Sequence, residues 1–367
     1  MSPRLTDLMH DRADRLSAPV VDLDAVVTAG ERRVRRRRAL AGAGVAAATA
    51  AVLVGALALP QLGPASNPGR TSGSQFSFAG AFSDGSPAYA NGTSVHVAGR
   101  EFTVPTDVHA FVQTTRGIVY ADRGGDVWSA TGDEATTKVG TIDRDEPRLD
   151  SDGSLAAWAQ PREEGNELAL LDQADGSVVS VPVTGRASEV RVVALDGADV
   201  YARDRDRVVR WDSTGDRTTP VMPWSGDVEV ADVEDGFIAY RAQEAGQDVS
   251  RVTRTAGEGT TLDAWMMLDL SDDGSHVLGE IEPDVFAVFD VAAGTHQPVT
   301  VPGYEFVIGY IWADADTYLM LGLNKPWDTT PADLLSCELG GGCTVVAEAV
   351  GRAGNDLVLG FGEPMDG

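Results

Sequence analysis

The stretch LDSDGSLAAWA (residues 149–159) contains the pattern that decides the fold. An acidic turn with Gly153 leads into a short apolar strand that carries Trp158. The pattern recurs seven times, with turn residues Gly85, Gly117, Gly153, Gly197, Gly236, Gly274 and, in the seventh copy, Ala315. Successive copies are 32, 36, 44, 39, 38 and 41 residues apart. A period near 40 residues indicates a repeat architecture.

Each copy is followed by an apolar hairpin, such as NELALLDQADGSVVSVPV (166–183) or DVFAVFDVAAGTHQPVTVP (284–302). Seven units of about four short strands predict an all-β fold, a seven-bladed β-propeller over residues 75–367. One blade cannot cover both faces of its own sheet, so aromatic side chains from the repeats should pack between blades. These are Tyr120, Trp158, Tyr201, Tyr240 and Tyr318.

The two ends of the repeat region complement each other. The run NDLVLGFG (355–362) is one strand left over after the seventh unit, whereas the first unit is one strand short. Pairing of this last strand with the first blade would close the ring and remove an exposed sheet edge.

An uncharged segment of 21 residues, Ala39–Leu59, precedes the repeats. As a helix it would be about 31 Å long, enough to cross the hydrocarbon core of a membrane. Six arginines precede it: Arg32, Arg33, Arg35, Arg36, Arg37 and Arg38. Because such clusters favour the cytoplasmic side, we expect a single-pass protein of the cell membrane with its N-terminus inside.

This topology divides the chain into a cytoplasmic tail (1–38), a transmembrane helix (39–59), a Pro- and Gly-containing linker (60–74) and an extracytoplasmic propeller (75–367). A cleaved signal peptide is the alternative, since Ala56-Leu57-Ala58 has the form of a cleavage site. The tail either is disordered or folds on a cytoplasmic partner.

The charge is distributed unevenly along the chain. The formal net charge is −27, of which residues 1–38 contribute about +3 and the remainder about −30. An acidic outer domain lacks the clustered Lys and Arg that phosphate contacts need, which excludes nucleic-acid binding.

Two cysteines, Cys337 and Cys343, flank Gly340-Gly341-Gly342 in a predicted hairpin. Opposed strands across this turn would bring the two sulfur atoms within bonding range, and an oxidising compartment permits the disulfide. Free thiols and a metal site are the alternatives, although two cysteines with no histidine nearby make a poor zinc site.

The sequence predicts no catalytic residue, metal site or cofactor. The five histidines (His10, His96, His109, His276 and His296) are isolated in sequence, and neither a hydrolase elbow nor a phosphate-binding loop is present. Asp150 and Asp152 are better explained as turn-capping residues than as calcium ligands.

Two tryptophans are the candidate binding residues. Trp224 and Trp327 lie in Pro- or Gly-containing loops, MPWSGD and NKPWDTTP. An aromatic residue in such a loop can anchor a ligand or a partner, or it can cap the face of the propeller.

The acidic turn with its following strand resembles the repeat of TolB-like, or PD40, propellers, most closely at residues 149–155 and 270–275, over about residues 80–350. Ser or Asp replaces the family's proline in these copies. The N-terminal region (LTDLMHDRADR to RRVRRRRALAGAG) resembles actinobacterial single-span proteins that accompany extracytoplasmic-function sigma factors. These resemblances imply an anchored propeller and a cytoplasmic sigma factor as partner.

The sequence therefore predicts a propeller that binds a ligand or protein of the cell envelope and that signals to a cytoplasmic partner. Two alternatives stay open. One is an envelope hydrolase or lyase with its site at the propeller axis, which needs a cluster of charged side chains at one mouth. The other is an inert scaffold for envelope proteins.

Overall fold

The computed structural model describes residues 82, 86–132, 136–183, 189–223, 228–244, 246–255, 258–324, 330–352 and 357–364. The predicted tail, its arginine cluster, the predicted transmembrane segment, the linker and Gly85 lie outside these residues. In the described part of the chain, no helix is long and apolar enough to cross a membrane.

Within the described residues, 28 strands form seven antiparallel sheets of four strands each, which are the blades of the propeller. Blade 1 comprises β1 (Ala88–Asn91), β2 (Ser94–Val97), β3 (Arg100–Thr103) and β28 (Leu357–Leu359). Blade 2 comprises β4 (Val108–Gln113), β5 (Ile118–Asp122), β6 (Asp126–Ala130) and β7 (Thr137–Thr141). Blade 3 comprises β8 (Leu149–Asp152), β9 (Leu155–Arg162), β10 (Gly165–Asp172) and β11 (Ser177–Val183).

The remaining blades follow the same order. Blade 4 comprises β12 (Val190–Asp196), β13 (Asp199–Asp204), β14 (Arg207–Asp212) and β15 (Arg217–Pro223). Blade 5 comprises β16 (Val228–Glu234), β17 (Phe237–Glu244), β18 (Gln247–Thr255) and β19 (Glu258–Leu262). Blade 6 comprises β20 (Met266–Leu270), β21 (His276–Glu282), β22 (Val285–Asp290) and β23 (Thr295–Pro298). Blade 7 comprises β24 (Phe306–Trp312), β25 (Thr317–Leu323), β26 (Ala332–Glu338) and β27 (Cys343–Gly351).

The predicted seven-bladed β-propeller is thus confirmed. In blades 2 to 7, the repeated turn joins the innermost strand of the blade to its second strand, and the hairpin supplies the third and fourth strands. Gly153 has a φ of 58°, in the left-handed region that such a tight turn requires.

The ring closes as the sequence predicts. Strand β28 pairs antiparallel with β1, with Tyr89 opposite Leu359 and Asn91 opposite Leu357. It becomes the innermost strand of blade 1, so this sheet contains segments from both ends of the repeat region. Closure therefore covers the inner edge of β1, which would otherwise lack a partner.

The core lies between the blades. The five aromatic side chains predicted there are at most 6% exposed. Tyr120 packs with residues of blade 1, Trp158 with residues of blade 2, and Tyr318 with residues of blade 6. Burial of apolar surface between neighbouring sheets stabilises the ring by about 25 cal/mol per Å².

The predicted disulfide is also confirmed. Cys337 and Cys343 are opposite each other in the β26–β27 hairpin of blade 7 and are bonded. The Gly340–Gly342 segment lies at the tip of this hairpin.

Candidate functional site

A channel lies at the axis of the propeller, where the innermost strands of the blades face one another. Its volume is about 360 Å³, and it is lined by residues of blades 2 to 7 and of the segment that follows β28. This volume is within the range of about 300–1,000 Å³ that small-molecule sites occupy. The channel is therefore the candidate functional site.

Bulges in the inner strands determine which side chains reach the channel. The pairing between first and second strand shifts by one residue at Val193 in blade 4, Ala231 in blade 5, Leu268 in blade 6 and Tyr310 in blade 7. All four residues line the channel. A bulge turns the strand locally and redirects a side chain. The bulges therefore help to explain why residues from the inner strands of blades 4 to 7 converge on the channel.

Three aspartates line the channel and also connect neighbouring blades. Asp150 of blade 3 accepts a hydrogen bond from the backbone N–H of Leu195 in blade 4, at 2.6 Å. Asp232 of blade 5 accepts one from Leu270 in blade 6 at 2.8 Å, and Asp269 of blade 6 accepts one from Trp312 in blade 7 at 2.6 Å. Each aspartate thus joins two inner strands.

The aspartates hold their protons more tightly than usual. Burial raises the pKa of Asp150 from 3.8 to about 7, with a further increase from the charge of Asp232, while Arg148 opposes the shift. Burial also raises the pKa of Asp232, and burial together with the Asp232 charge raises that of Asp269 well above its ordinary value. Asp232 and Asp269 also lie close enough for each carboxyl group to affect the pKa of the other.

Arginines surround one mouth of the channel. Arg148 and Arg191 both form ion pairs with Glu363, and the Arg191–Glu363 distance is 3.8 Å. Arg241 pairs with Glu229 at 3.6 Å. All five side chains line the channel. This mouth lies at the start of the inner strands, since Arg191 and Glu229 are each the second residue of their strand.

Further carboxyl groups lie at the opposite end of the inner strands. Asp152, Asp196 and Glu234 are the last residues of β8, β12 and β16. Burial raises the pKa of Glu234 to about 11, with additional contributions from Asp232, Asp152 and Asp196. Guanidinium groups therefore lie at the start of the inner strands, whereas carboxyl groups lie in the channel and at the end of the inner strands.

Neither the two predicted binding residues nor the histidines are found among the described residues that line this channel. Trp224 and Trp327 lie outside the residues that the structure describes, so their predicted binding role stays a prediction. No histidine lines the channel among the described residues. His96 instead stacks on Tyr89, with ring centroids 4.4 Å apart. In the same part of the chain, no group of three or more His, Cys, Asp or Glu side chains is arranged to hold a metal ion.

Sequence reasoning missed the charged residues of the channel. The turn-capping role predicted for Asp150 is only part of what it does. One carboxylate oxygen accepts the N–H of Ser151, and the other accepts the N–H of Leu195 in the next blade. A usable signal exists, because Leu149-Asp150, Ala231-Asp232 and Leu268-Asp269 each place an aspartate after an apolar residue just before the turn. Glu363 lies beyond the repeats and has no such signal.

Comparisons with known proteins give similarity of fold only. No protein-family model and no curated protein matches the sequence. Among solved structures, TolB from Acinetobacter baumannii is 12% identical with a TM-score of 0.41, over 71% of this chain and 66% of that chain. A putative TolB from Agrobacterium tumefaciens is 13% identical with a TM-score of 0.35, over 76% of this chain and 90% of that one.

The tricorn protease is 13% identical with a TM-score of 0.30, over 73% of this chain. This chain spans less than two thirds of the first TolB structure and 29% of the tricorn protease chain. The arrangement of the sheets, rather than these similarities, establishes that the chain is a seven-bladed β-propeller.

Proposed function

We propose that this protein is a binding protein whose propeller holds a small polar ligand in its axial channel. One observation carries the proposal: a channel of about 360 Å³ in which charged side chains converge from several blades. Ligand sites typically combine such a concave volume with a few polar groups that fix orientation. A propeller that served only as a scaffold would have no need of half-buried aspartates along its axis, because burying carboxyl groups costs stability.

A channel-filling variant tests this function. Ala231 lines the channel at the bulge of β16, and Ala231→Trp would fill much of the space. The matched control is Ser180→Trp, on the exposed outer strand of blade 3. A library of small polar metabolites is screened by thermal shift against the full chain. Ligands that stabilise the wild type and the control, but not Ala231→Trp, support the proposal. A screen with no such ligand contradicts it.

The proposal extends to anchoring and signalling. Residues 39–59 would anchor the protein in the cell membrane, the arginines before them would keep residues 1–38 inside, and the tail would pass the bound state to a cytoplasmic sigma factor. The support is the charge and hydropathy of the sequence and its resemblance to sigma-factor-associated proteins. Co-purification from native membranes, with and without residues 1–30, tests it. A cytoplasmic partner that is lost on deletion supports signalling, and an unchanged set of partners contradicts it.

An envelope hydrolase or lyase is the second candidate. The observation that favours it is the pair of Asp232 and Asp269, which both line the channel and both have raised pKa values, since a protonated carboxyl group beside an ionised one is an arrangement that supports acid–base chemistry. Incubation with neutral glycosides and lactones, followed by mass spectrometry of products, tests it. Turnover by the wild type that Asp232→Asn abolishes supports an enzyme, and no turnover removes this candidate.

A further inference from the structure

We infer that the arginine mouth of the channel is a carboxylate-binding site that the chain fills with its own Glu363. The external ligand would be a small carboxylate that carries hydroxyl or ammonium groups, and its carboxylate would displace the Glu363 side chain. This inference rests on the proposed function, because it names the ligand class of the same channel.

The backbone around Glu363 is fixed at the mouth. The segment that follows β28 continues along blade 2, where the N–H of Gly362 donates to the carbonyl of Phe111 at 2.8 Å. The N–H of Leu149 in blade 3 donates to the carbonyl of Gly362 at 3.0 Å. These two bonds place the next residue, Glu363, beside the inner strands of blades 2 and 3. Its backbone is therefore anchored, whereas its side chain is 34% exposed.

Two arginines converge on this single carboxylate. Arg148 forms an ion pair with Glu363, and Arg191 approaches the same carboxylate oxygen at 3.8 Å. The side chains of Arg148 and Arg191 are 20% and 34% exposed. Burial and the nearby Arg148 charge lower the pKa of Arg191, while Glu363, Glu146 and Glu229 oppose that shift. Two half-buried guanidinium groups side by side need an anion between them, and planar guanidinium groups match carboxylates in geometry.

The other acidic groups at this mouth do not replace Glu363 in that position. Glu229 pairs with Arg241 at 3.6 Å, and its side chain is 56% exposed. Asp150 bonds to the N–H groups of Ser151 and Leu195. Glu363 is thus the carboxylate that forms ion pairs with both arginines, and a ligand with its own carboxylate can restore the same ion pairs.

The rest of the ligand would extend towards the aspartates. Arg148 lies close enough to Asp150 and Asp232 to oppose the rise of their pKa values, so the arginine mouth is continuous with the carboxyl groups inside the channel. Each carboxyl oxygen that accepts one backbone N–H keeps a second lone pair. Hydroxyl or ammonium groups a few atoms from the ligand's carboxylate could donate to these positions.

The central experiment removes the internal carboxylate. Glu363→Gln leaves Arg148 and Arg191 without it, so we expect D-glucuronate to bind this variant at least tenfold more tightly than it binds the wild type. Calorimetry of the full-length protein at constant ionic strength measures the affinity. D-glucose, which lacks the carboxylate, should bind no more tightly to the variant, and acetate should show a smaller gain than glucuronate.

Glu244→Gln is the matched control. Glu244 pairs with Arg251 at 2.9 Å and does not line the channel, so the same loss of charge occurs away from the site. Its glucuronate affinity should equal that of the wild type. Arg191→Gln, made in the Glu363→Gln protein, should reverse the gain tenfold or more. Near-ultraviolet circular dichroism confirms that each variant is folded; if Glu363→Gln is not, Arg191→Gln alone should weaken glucuronate binding at least tenfold.

Failure of this inference is distinguishable from failure of the proposed function. If a folded Glu363→Gln protein binds glucuronate no more tightly than the wild type, or if Glu244→Gln shows the same gain, the carboxylate site is wrong. A ligand that Ala231→Trp excludes but Glu363→Gln leaves unaffected would then still support the channel as a binding site. Absence of any ligand sensitive to Ala231→Trp overturns both.

Discussion

Blades 3 to 7 connect their inner strands through carboxyl groups, whereas blades 7, 1 and 2 meet through a tyrosine hydroxyl and the backbone. On the first side, which we call the aspartate side, Asp150, Asp196, Asp232 and Asp269 each accept an N–H from the next blade. On the second, the seam side, the Tyr310 hydroxyl donates to the carbonyl of Ala88 at 3.0 Å and accepts the N–H of Gly360 at 2.5 Å.

The comparison shows that the bonds that close the ring and the ionisable groups of the channel lie on different sides of the propeller. Uncharged hydrogen bonds join the two ends of the repeat region at the seam, so we expect these bonds to be insensitive to pH. Ionisable groups concentrate where the sheets are continuous in sequence. The aspartate side therefore has the functional groups of the channel and also bears the cost of burying carboxyl groups.

Removing the closing strand should have the largest effect. Deletion of residues 357–367 removes Leu357 and Leu359, which are 2% and 1% exposed, and leaves blade 1 with three strands. We expect a loss of about 5 kcal/mol or more in the free energy of unfolding, since each buried leucine contributes about 2–5 kcal/mol. Guanidinium denaturation followed by tryptophan fluorescence measures it. Deletion of residues 365–367 alone is the control, and an equal effect of both deletions would contradict closure by β28.

A methyl group at the seam should be nearly as disruptive. Gly362 has a φ of 84°, and a Cβ there would overlap the carbonyl oxygen of Leu149. Gly153 also has a positive φ, of 58°, but has open space around it. We expect Gly362→Ala to cost about 3 kcal/mol and Gly153→Ala about 1 kcal/mol. Equal losses in denaturation curves would show that the seam is not tightly packed.

The aspartate side should respond to pH. The folded-state pKa values of Asp150, Asp232 and Asp269 are raised, so their stabilising contribution is complete below about pH 4 and is lost as the pH rises towards and beyond 7. In Asp269→Asn, the amide can accept from Trp312 and donate to Asp232 without ionising. We expect it to raise the free energy of unfolding by about 1–3 kcal/mol at pH 8 and by little at pH 4.

Urea denaturation at both pH values measures that change. Asp248→Asn, at an exposed position of β18, is the matched control and should be neutral at either pH. A gain for Asp269→Asn that is the same at pH 4 and pH 8 would mean that charge is not the cause.

The seam hydroxyl should have the smallest effect and no pH dependence. Tyr310→Phe removes both hydrogen bonds across the seam, and we expect a loss of about 1–2 kcal/mol. Burial raises the pKa of Tyr310 above its ordinary value of 10, so the loss should be constant between pH 5 and pH 9. Tyr120→Phe, which removes one 3.2 Å bond to Thr106, should cost less. A loss for Tyr310→Phe that grows with pH would contradict the expected pH independence of the seam side.

The fold could be predicted because its determinants recur. The acidic turns at Gly153 and Gly274 appear at nearly constant spacing, and the surplus strand at 355–362 matches the missing strand of the first unit. A repeat shows the same physical requirement several times, so one copy with an unusual residue does not hide the pattern. The disulfide followed from a local hairpin and needed no long-range information.

The channel could not be predicted in the same way. A bulge adds one residue to an inner strand, and an alternating apolar pattern does not reveal which of Ala231 and Asp232 then faces the axis. Glu363 meets Arg148 only because the ring closes, which joins residues from distant repeats. The candidate binding residues Trp224 and Trp327 followed from loop composition, and their role stays a prediction.

The pairing of β28 with β1 has a consequence for the order of synthesis. The ribosome completes residues 88–103 long before residues 357–359, and translation proceeds at about 5–20 residues per second. For roughly 10 s or more, the nascent first blade therefore has a vacant inner edge at β1, which is the kind of edge that invites pairing with other chains. A protein of this design depends on protection of its earliest strands until its last ones emerge.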